Sequence, residues 1–277
     1  MPPEGLSFIL RRKQPAFGFL LALVLMACSL PCKVFGGEIV YQVGFEEAEE
    51  FSSGYALGPL VGQGERLPAV AGWMQQPNEE FHGADVVEAS VGNHLPAPKG
   101  RQMLQIRYDS GNPAVFQNFL SEPKAIKQDL KVTFLLAVDG AVSGGTFTFA
   151  ILSSSGLNSG AWFGIRRAGK DDNSFGFFYR KVDAEGKIVW EKIGDGVFEV
   201  QQFYKVELLV DYGNQTYGGL VTDASGSEVL KFSGLPLLDQ DGHMSAGRGF
   251  NRLYVGADQV GTRPAFLVDD ISVEMAP

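Results

Sequence analysis

Four side chains in the middle of the sequence have the chemistry of a sugar-binding surface: Trp162, Arg166, Tyr179 and Trp190. Flat aromatic rings can stack on the apolar C–H faces of sugars, and a guanidinium can donate hydrogen bonds to sugar hydroxyls or carboxylates. Aromatic residues in strands more often belong to a core, and an arginine at a strand end is commonly a solvated edge. Packing is therefore the competing interpretation for each of these side chains.

In the strand predicted at 175–182, the sequence does not decide which aromatic residue is exposed. Tyr179 shares one face of that strand with Phe175 and Phe177. Phe178 points to the opposite face, because successive side chains of a strand alternate. One of the two faces must be core. If Tyr179 lies on that face, Phe178 becomes the exposed aromatic candidate in its place.

Motifs of common catalytic mechanisms are not found in the sequence. A G-x-S-x-G nucleophile motif does not occur. Glycoside hydrolysis requires two convergent carboxylates, and no segment carries them in the spacing E-x-D-x-x-E. The three histidines, His82, His94 and His243, do not match a metal-binding H-x-x-x-H spacing. The sequence therefore predicts no catalytic residues.

The N-terminus has the pattern of an export signal. Three basic residues precede the apolar stretch Ala16–Ala27, which is too short to span a bilayer as a helix. The Val-Phe-Gly that follows suits cleavage before Gly37, so residues 1–36 are predicted to be a signal peptide. Leu-Met-Ala directly before Cys28 gives an alternative lipoprotein signal, in which Cys28 becomes the lipidated N-terminus. Both alternatives predict a secreted, periplasmic or cell-surface protein.

Cleavage before Gly37 would leave an acidic chain, residues 37–277. It has 19 basic and 31 acidic residues, a net charge of −12, and no cysteine. So acidic a chain is a poor partner for nucleic acid or for an anionic lipid surface. The remaining length fits one large domain, which must be stable without a disulfide. The sequence of this part contains no integral membrane segment.

The periodicity of this part is that of an all-β protein. Short runs of alternating apolar and polar residues are separated by glycine-rich turns, which is typical of a sandwich or barrel. We predict a two-sheet antiparallel jelly-roll β-sandwich of about fourteen strands with little helix. The one candidate helix is Glu122–Leu130, where Pro123 fits the first turn. The predicted strands are 39–45, 86–91, 103–108, 114–119, 131–138, 146–151, 175–182, 187–193, 203–212, 217–222, 228–232, 252–256 and 266–274.

Several segments resemble bacterial exported jelly-roll domains. They are Gly44-Phe45-Glu46, Gly62-Gln63 with Gly72-Trp73, the strand 204–211 with Tyr217, Asp223-Ala-Ser-Gly226, and the C-terminal run 266–273 (FLVDDISV). Together they resemble laminin-G/concanavalin A-like lectins and galactose-binding-like carbohydrate-binding modules. The resemblance covers most of residues 37–277, although each motif is common by itself. It implies a β-sandwich and a glycan or cell-surface polymer as the partner.

The same resemblance implies a structural calcium ion. In the galactose-binding-like modules, an Asp of the last strand and a Glu near the first strand hold Ca²⁺ together with backbone carbonyls. Asp269 and Glu46 occupy the matching positions. The alternation predicts that Asp269 shares an apolar face with Leu267 and Ile271, where an unpaired carboxylate would be costly. The alternative is that Asp269 caps a turn or pairs with Arg252 or Arg263.

These patterns favour a non-catalytic exported binding or surface-structural module, with polysaccharide or cell-envelope glycan as the ligand class. Two alternatives remain. One is a polysaccharide-degrading enzyme, a glycoside hydrolase or lyase, on the same fold. The other is a purely structural or protein-interaction domain. The sequence predicts Trp162, Arg166, Tyr179 and Trp190 for ligand binding, and Glu46 and Asp269 for calcium.

Overall fold

The computed structural model describes most of the chain beyond residue 36. The described residues are 37–50, 52–65, 71–75, 82–88, 95, 97–110, 114–120, 124–139, 146–153, 158–167, 175–258 and 265–276. They belong to one compact unit that covers residues 35–277. The predicted signal peptide, including Cys28 and the cleavage position before Gly37, lies outside the described residues.

The described residues form strands and connecting turns, and none of them is helical. Accordingly, this part of the chain contains no helix that could span a membrane. The strands are β1 (Ile39–Val43), β2 (Gly58–Pro59), β3 (Met74–Gln75), β4 (His82–Glu88), β5 (Gln102–Ser110), β6 (Ala114–Asn118), β7 (Leu130–Asp139), β8 (Thr146–Ser153), β9 (Ser159–Arg167), β10 (Phe175–Val182), β11 (Ile188–Phe198), β12 (Phe203–Asp211), β13 (Thr216–Thr222), β14 (Glu228–Pro236), β15 (Leu238–Asp239), β16 (Phe250–Asp258) and β17 (Ala265–Met275).

The strands pair antiparallel in two sheets, so the predicted all-β sandwich is confirmed. The nine-stranded sheet has the order β14-β13-β12-β7-β17-β5-β4-β2, with β1 also paired to β17. The eight-stranded sheet has the order β11-β10-β9-β8-β16-β6-β3, with β15 also paired to β9. Strand β17 therefore lies in the middle of its sheet, between β7 on one side and β5 and β1 on the other.

The core lies between the two sheets and is built from alternating residues. In β7, Val132, Phe134 and Leu136 are fully buried, as the period of the sequence predicts. Phe134 stacks on Phe149 of β8 at a centroid distance of 4.1 Å, which joins the centres of the two sheets. Burial of large apolar side chains supplies most of the stability of such a fold.

The predicted helix at Glu122–Leu130 is wrong for the residues described there. Residues 124–129 are not helical, and β7 begins at Leu130. Ile126 instead forms an isolated antiparallel bridge with Phe250, and each of the two donates a backbone hydrogen bond to the other. A buried apolar contact at Ile126 thus decides the conformation of this segment, against the local preference that Pro123 suggested.

Strand β9 (Ser159–Arg167) was missing from the predicted strands. Its sequence, SGAWFGIRR, has small residues and two glycines, which obscure the alternation. Both faces of its first seven residues are buried, so apolar and small residues follow one another without polar interruption. Such a strand resembles a buried strand of a parallel sheet more than a half-exposed antiparallel one.

Candidate functional site

The predicted ligand-binding residues lie on three neighbouring strands of the eight-stranded sheet. Trp162 and Arg166 belong to β9, Tyr179 to β10 and Trp190 to β11. Trp162 packs with Ala150, Leu152 and Leu238 in a small cluster separate from the core between the sheets. Trp162 therefore lies on the outer face of this sheet, the face turned away from the nine-stranded sheet.

Tyr179 lies on the opposite, inner face. It is 7% exposed and packs in the main core, which also contains Phe175 and Phe177. Its ring faces are covered, so Tyr179 does not belong with the outer-face residues. The hydroxyl of Tyr179 reaches the sheet edge, where it donates to Glu191 Oε1 at 3.1 Å. Phe178, the candidate that replaces Tyr179 when Tyr179 lies on the core face, is on the outer face of the same strand and is partly exposed.

The outer face carries a row of side chains that crosses six strands and consists of four aromatic residues, one arginine and one alanine. Most neighbouring members are paired directly across adjacent strands. Arg180 and Trp162 are neighbours through the stacking of the guanidinium on the indole ring. Adjacent strands are about 4.8 Å apart, so the row is roughly 24 Å long. We call it the outer row, and its members are Trp190, Arg180, Trp162, Ala150, Tyr254 and Phe116.

Arg180 is held between two indole rings. Its guanidinium carbon lies 4.1 Å from the ring centroid of Trp162 and 4.8 Å from that of Trp190. Trp162 also packs against Tyr254 at a centroid distance of 5.1 Å. Trp162 is therefore only 2% exposed, although it lies on the outer face. Trp190, Arg180 and Tyr254 keep part of their surface accessible.

Two further arginines of the same face repeat this arrangement. The guanidinium of Arg166 lies 5.4 Å from the ring centroid of Phe178, and that of Arg252 lies 4.6 Å from the ring centroid of Phe116. A cation over an aromatic ring is attracted by the ring quadrupole, and the planar guanidinium suits this contact better than an ammonium does. The arginines are thereby held in fixed orientations on the sheet.

The indole nitrogen of Trp162 is a buried donor. Trp162 Nε1 has no hydrogen-bond partner within the part of the chain that the structure describes. A buried N–H group without a partner is costly, and such groups in native proteins usually have an explanation. The backbone carbonyl of the same residue accepts from the Tyr217 hydroxyl at 2.5 Å, so the strand position is tightly held.

The position of Trp190 depends on a glycine of β9. A Cβ atom at Gly164 would lie 2.8 Å from Trp190 Cζ3 and 2.9 Å from Trp190 Cη2. The indole of Trp190 thus leans across β10 and lies directly over the β9 backbone. Gly164 occupies the row next to the outer row, opposite Phe178 and Thr148.

We expect Gly164→Ala to displace the Trp190 ring, because the added methyl would overlap it. The expected result is a red shift of the tryptophan emission and a loss of about 1–3 kcal/mol of unfolding free energy, the usual cost of overpacking. Trp73 and Trp162 are almost fully buried, so Trp190 should dominate any change. Gly213→Ala is the control, since its Cβ would meet nothing closer than 3.7 Å. An unchanged emission spectrum in Gly164→Ala would contradict the packing described.

Sequence reasoning missed Arg180, Phe116 and Tyr254, which complete the outer row. The alternation in β10 could have found Arg180, because it shares the face of Phe178. Tyr254 and Phe116 could not be assigned in this way, since their neighbourhood depends on β16 lying between β8 and β6. That pairing joins segments more than a hundred residues apart in sequence.

The residues predicted for calcium lie near each other. A Cβ atom at Gly44 would lie 4.0 Å from both Asp269 Oδ1 and Glu46 Cγ, so those two atoms are within about 8 Å of each other. Glu46 Oε1 accepts from the backbone N–H groups of Arg101 and Gln102, at 2.7 and 2.9 Å. Glu49 Oε1 likewise accepts from Gly44 and Glu46.

The single face that simple alternation assigns to Leu267, Asp269 and Ile271 is wrong. The pairing of β17 with β7 shifts register between Asp269 and Ser272, and Asp270 has a positive φ of 48°. This bulge inverts the alternation. Leu267 therefore points outward, whereas Ile271 and Val273 point into the core. The bulge lies where β17 changes partner, from β5 to β1.

Asp269 is nevertheless fully buried. Its Oδ1 accepts from the Asp270 backbone N–H at 2.8 Å, whereas Oδ2 has no hydrogen-bond partner among the described residues. Burial raises the pKa of Asp269 to about 7, and the nearby carboxylates Asp270 and Glu46 add to the rise. Lys99 forms an ion pair with Asp270 at the edge of this cluster. Within the described residues, no group of three or more histidine, cysteine or acidic side chains has the geometry of a metal site.

Comparisons with known proteins give structural likeness without sequence likeness. The chain matches no protein-family model and no curated protein. A carbohydrate esterase of the Shiga toxin-encoding bacteriophage phi24B superposes with a TM-score of 0.49 and 16% identity, over 87% of this chain and 100% of the esterase. A GH43 glycoside hydrolase with an engineered active site gives 0.49 and 12%, over 83% of this chain and 42% of the enzyme.

The xylan-binding CBM22-1 domain of Paenibacillus barcinonensis Xyn10C is a more distant match. It gives a TM-score of 0.35 and 10% identity, over 87% of this chain and 96% of that domain. The chain spans less than half the length of several other matched structures, among them the binding domain of botulinum neurotoxin serotype D, of which it covers 47%. The chain is thus similar to proteins of diverse activity.

Proposed function

We propose that this protein is an exported, non-catalytic glycan-binding module whose ligand lies along the outer row. The observation that carries the proposal is the row itself, with Trp190, Arg180 and Tyr254 partly exposed in line across the sheet. An elongated array of flat rings and hydrogen-bond donors matches a polymer chain better than a small molecule. The export signal predicted at residues 1–36 supports a ligand outside the cytoplasm.

The proposed ligand-binding set follows the geometry of the outer face. It keeps Trp162, Arg166 and Trp190, gains Arg180 and Tyr254, and leaves out Tyr179. In this set Trp190 offers the accessible ring, while Trp162 supports Arg180 from below.

Binding to a glycan array, followed by titration with the best ligand, tests the proposal. Trp190→Ala should weaken binding by about 1–3 kcal/mol, the scale of one buried apolar side chain. Phe203→Ala is the matched control, because Phe203 is a partly buried aromatic residue on the nine-stranded sheet. Binding that Trp190→Ala leaves unchanged would remove the outer row from the proposal. An array without any bound glycan would contradict glycan binding itself.

A further inference from the structure

The outer face of the eight-stranded sheet is rich in cations, although the chain as a whole is acidic. Arg166, Arg180, Lys192 and Arg252 all lie on it, on four neighbouring or near-neighbouring strands. A carboxylate that lies against this set is Asp195, whose Oδ1 is 3.6 Å from Lys192 Nζ. Its side chain is fully exposed. The face therefore differs in charge from the remainder of a chain in which acidic residues outnumber basic ones.

Arg180 changes what this face can recognise. Its guanidinium covers the ring of Trp162 at 4.1 Å, so a neutral sugar has no access to that ring for stacking. Stacking engages the flat faces of a guanidinium, whereas its N–H donors lie in its plane. Those donors match the oxygens of a carboxylate or a sulfate in a bidentate geometry. The rings hold the arginine in place, which reduces the entropy lost on binding.

The arginine-on-aromatic arrangement occurs three times on this face. Arg166 lies over Phe178, Arg180 between Trp162 and Trp190, and Arg252 over Phe116. A repeated set of fixed cations fits a polymer that carries acid groups at repeated positions.

We propose that the outer row binds an anionic saccharide, a polymer of uronate or sulfated sugar units, with Arg180 contacting the acid group. This inference rests on the proposed glycan-binding function and names its ligand class. Uronates and sulfated sugars share the same chemistry, a planar or tetrahedral oxyanion on a sugar ring. Charge complementarity favours both over a neutral glycan.

Calorimetric titration of the protein with polygalacturonate, dextran sulfate and unsubstituted dextran tests the inference. We expect at least one of the two anionic polymers to bind at least about tenfold more tightly than dextran, because a charge-assisted hydrogen bond commonly contributes that much. The stronger of the two identifies the acid group. Binding should weaken as salt is raised, because ions screen charges on an exposed face.

Variants locate the contact. Arg180→Gln should weaken binding of the anionic polymer about tenfold, and Arg180→Lys should do nearly the same, since lysine keeps the charge but lacks the planar fork. Arg101→Gln is the control, because it removes the same charge from an 82% exposed side chain directly before β5 of the other sheet. If Arg180→Gln does not fold, Arg252→Gln serves in its place and should weaken binding by a smaller factor.

Each other outcome contradicts the inference in a recognisable way. Dextran binding as tight as that of both anionic polymers would overturn the anionic class and leave the proposed function intact. Equal binding of polyglutamate and polygalacturonate would show a general anion surface rather than a saccharide site. No binding to any polysaccharide, on the array or by titration, would contradict the proposed function as well.

Discussion

Phe134→Ala is expected to lower the free energy of unfolding by about 3–5 kcal/mol, which is the range for phenylalanine deletions in tightly packed cores. Phe134 is fully buried in β7 and contacts two rings of the opposite sheet. It stacks on Phe149 at 4.1 Å and meets Phe163 edge-on at 6.2 Å. The cavity would lie between two sheets whose strands are fixed by their backbone hydrogen bonds, so it can collapse only in part.

Urea unfolding followed by circular dichroism measures this loss. Leu209→Ala is the control, since Leu209 is 40% exposed on the outer face of the nine-stranded sheet. We expect that substitution to cost less than about 1 kcal/mol, as is usual for surface changes. Equal effects of the two substitutions would contradict a core centred on the Phe134–Phe149 pair.

In a calcium-free, chelated buffer, the protein should lose about 2–3 kcal/mol of unfolding free energy between pH 5 and pH 8. The folded protein holds a proton on Asp269 more tightly than the unfolded chain does, because burial raises the pKa of Asp269 to about 7. The stabilisation is therefore complete below the pKa of Asp269 in the unfolded chain, near 4, and is lost as the pH rises through its pKa in the folded protein.

Asp269→Asn should abolish most of this pH dependence, because its amide stays neutral throughout. The control is Asp195→Asn, which removes a carboxylate whose side chain is fully exposed. Unfolding measured in urea at several pH values gives the slope for each variant. The charged groups around Asp269 are Glu46, Glu49, Asp270 and Lys99. A slope that persists in Asp269→Asn would contradict the assignment of the pH dependence to Asp269.

We propose that Glu46 and Asp269 bind calcium. Added Ca²⁺ should then oppose the loss of stability that rising pH causes. A bound cation favours the ionised carboxylate, so added Ca²⁺ should raise the melting temperature at pH 8 more than at pH 5. The gain should disappear in Asp269→Asn. A melting curve at pH 8 that is the same in calcium and in chelator would remove the calcium site.

The sequence alone predicts much of this fold, because the alternation that marks a strand also marks its core face. In β7 and β12 every second residue is buried, and both strands were predicted almost to their ends. The prediction fails where a tertiary contact overrides the local pattern. Ile126 is drawn into a bridge with Phe250, and the bulge after Asp269 inverts the faces of β17.

The candidate site was predictable only in part. Trp162, Trp190 and Arg166 were selected by their residue types, but their common face and their order in space required the strand pairing. Tyr179 was misplaced, because a strand with aromatic residues on both faces does not reveal which face is core. Arg180, which fills the space between the two tryptophans, acquires its importance only once β9, β10 and β11 are side by side.

The central position of β17 has a consequence for how the chain acquires its structure. This strand is the last in the sequence, yet it separates β7 from β5 and β1 in the nine-stranded sheet. Until residues 265–275 are available, the edges of β7 and β5 that pair with β17 have no partner strand, and the sheet stays divided. Closing it requires contacts between distant segments, which makes folding slow. While the chain is being synthesised, β7 therefore stays separated from β5 and β1 until residues 265–275 have been added.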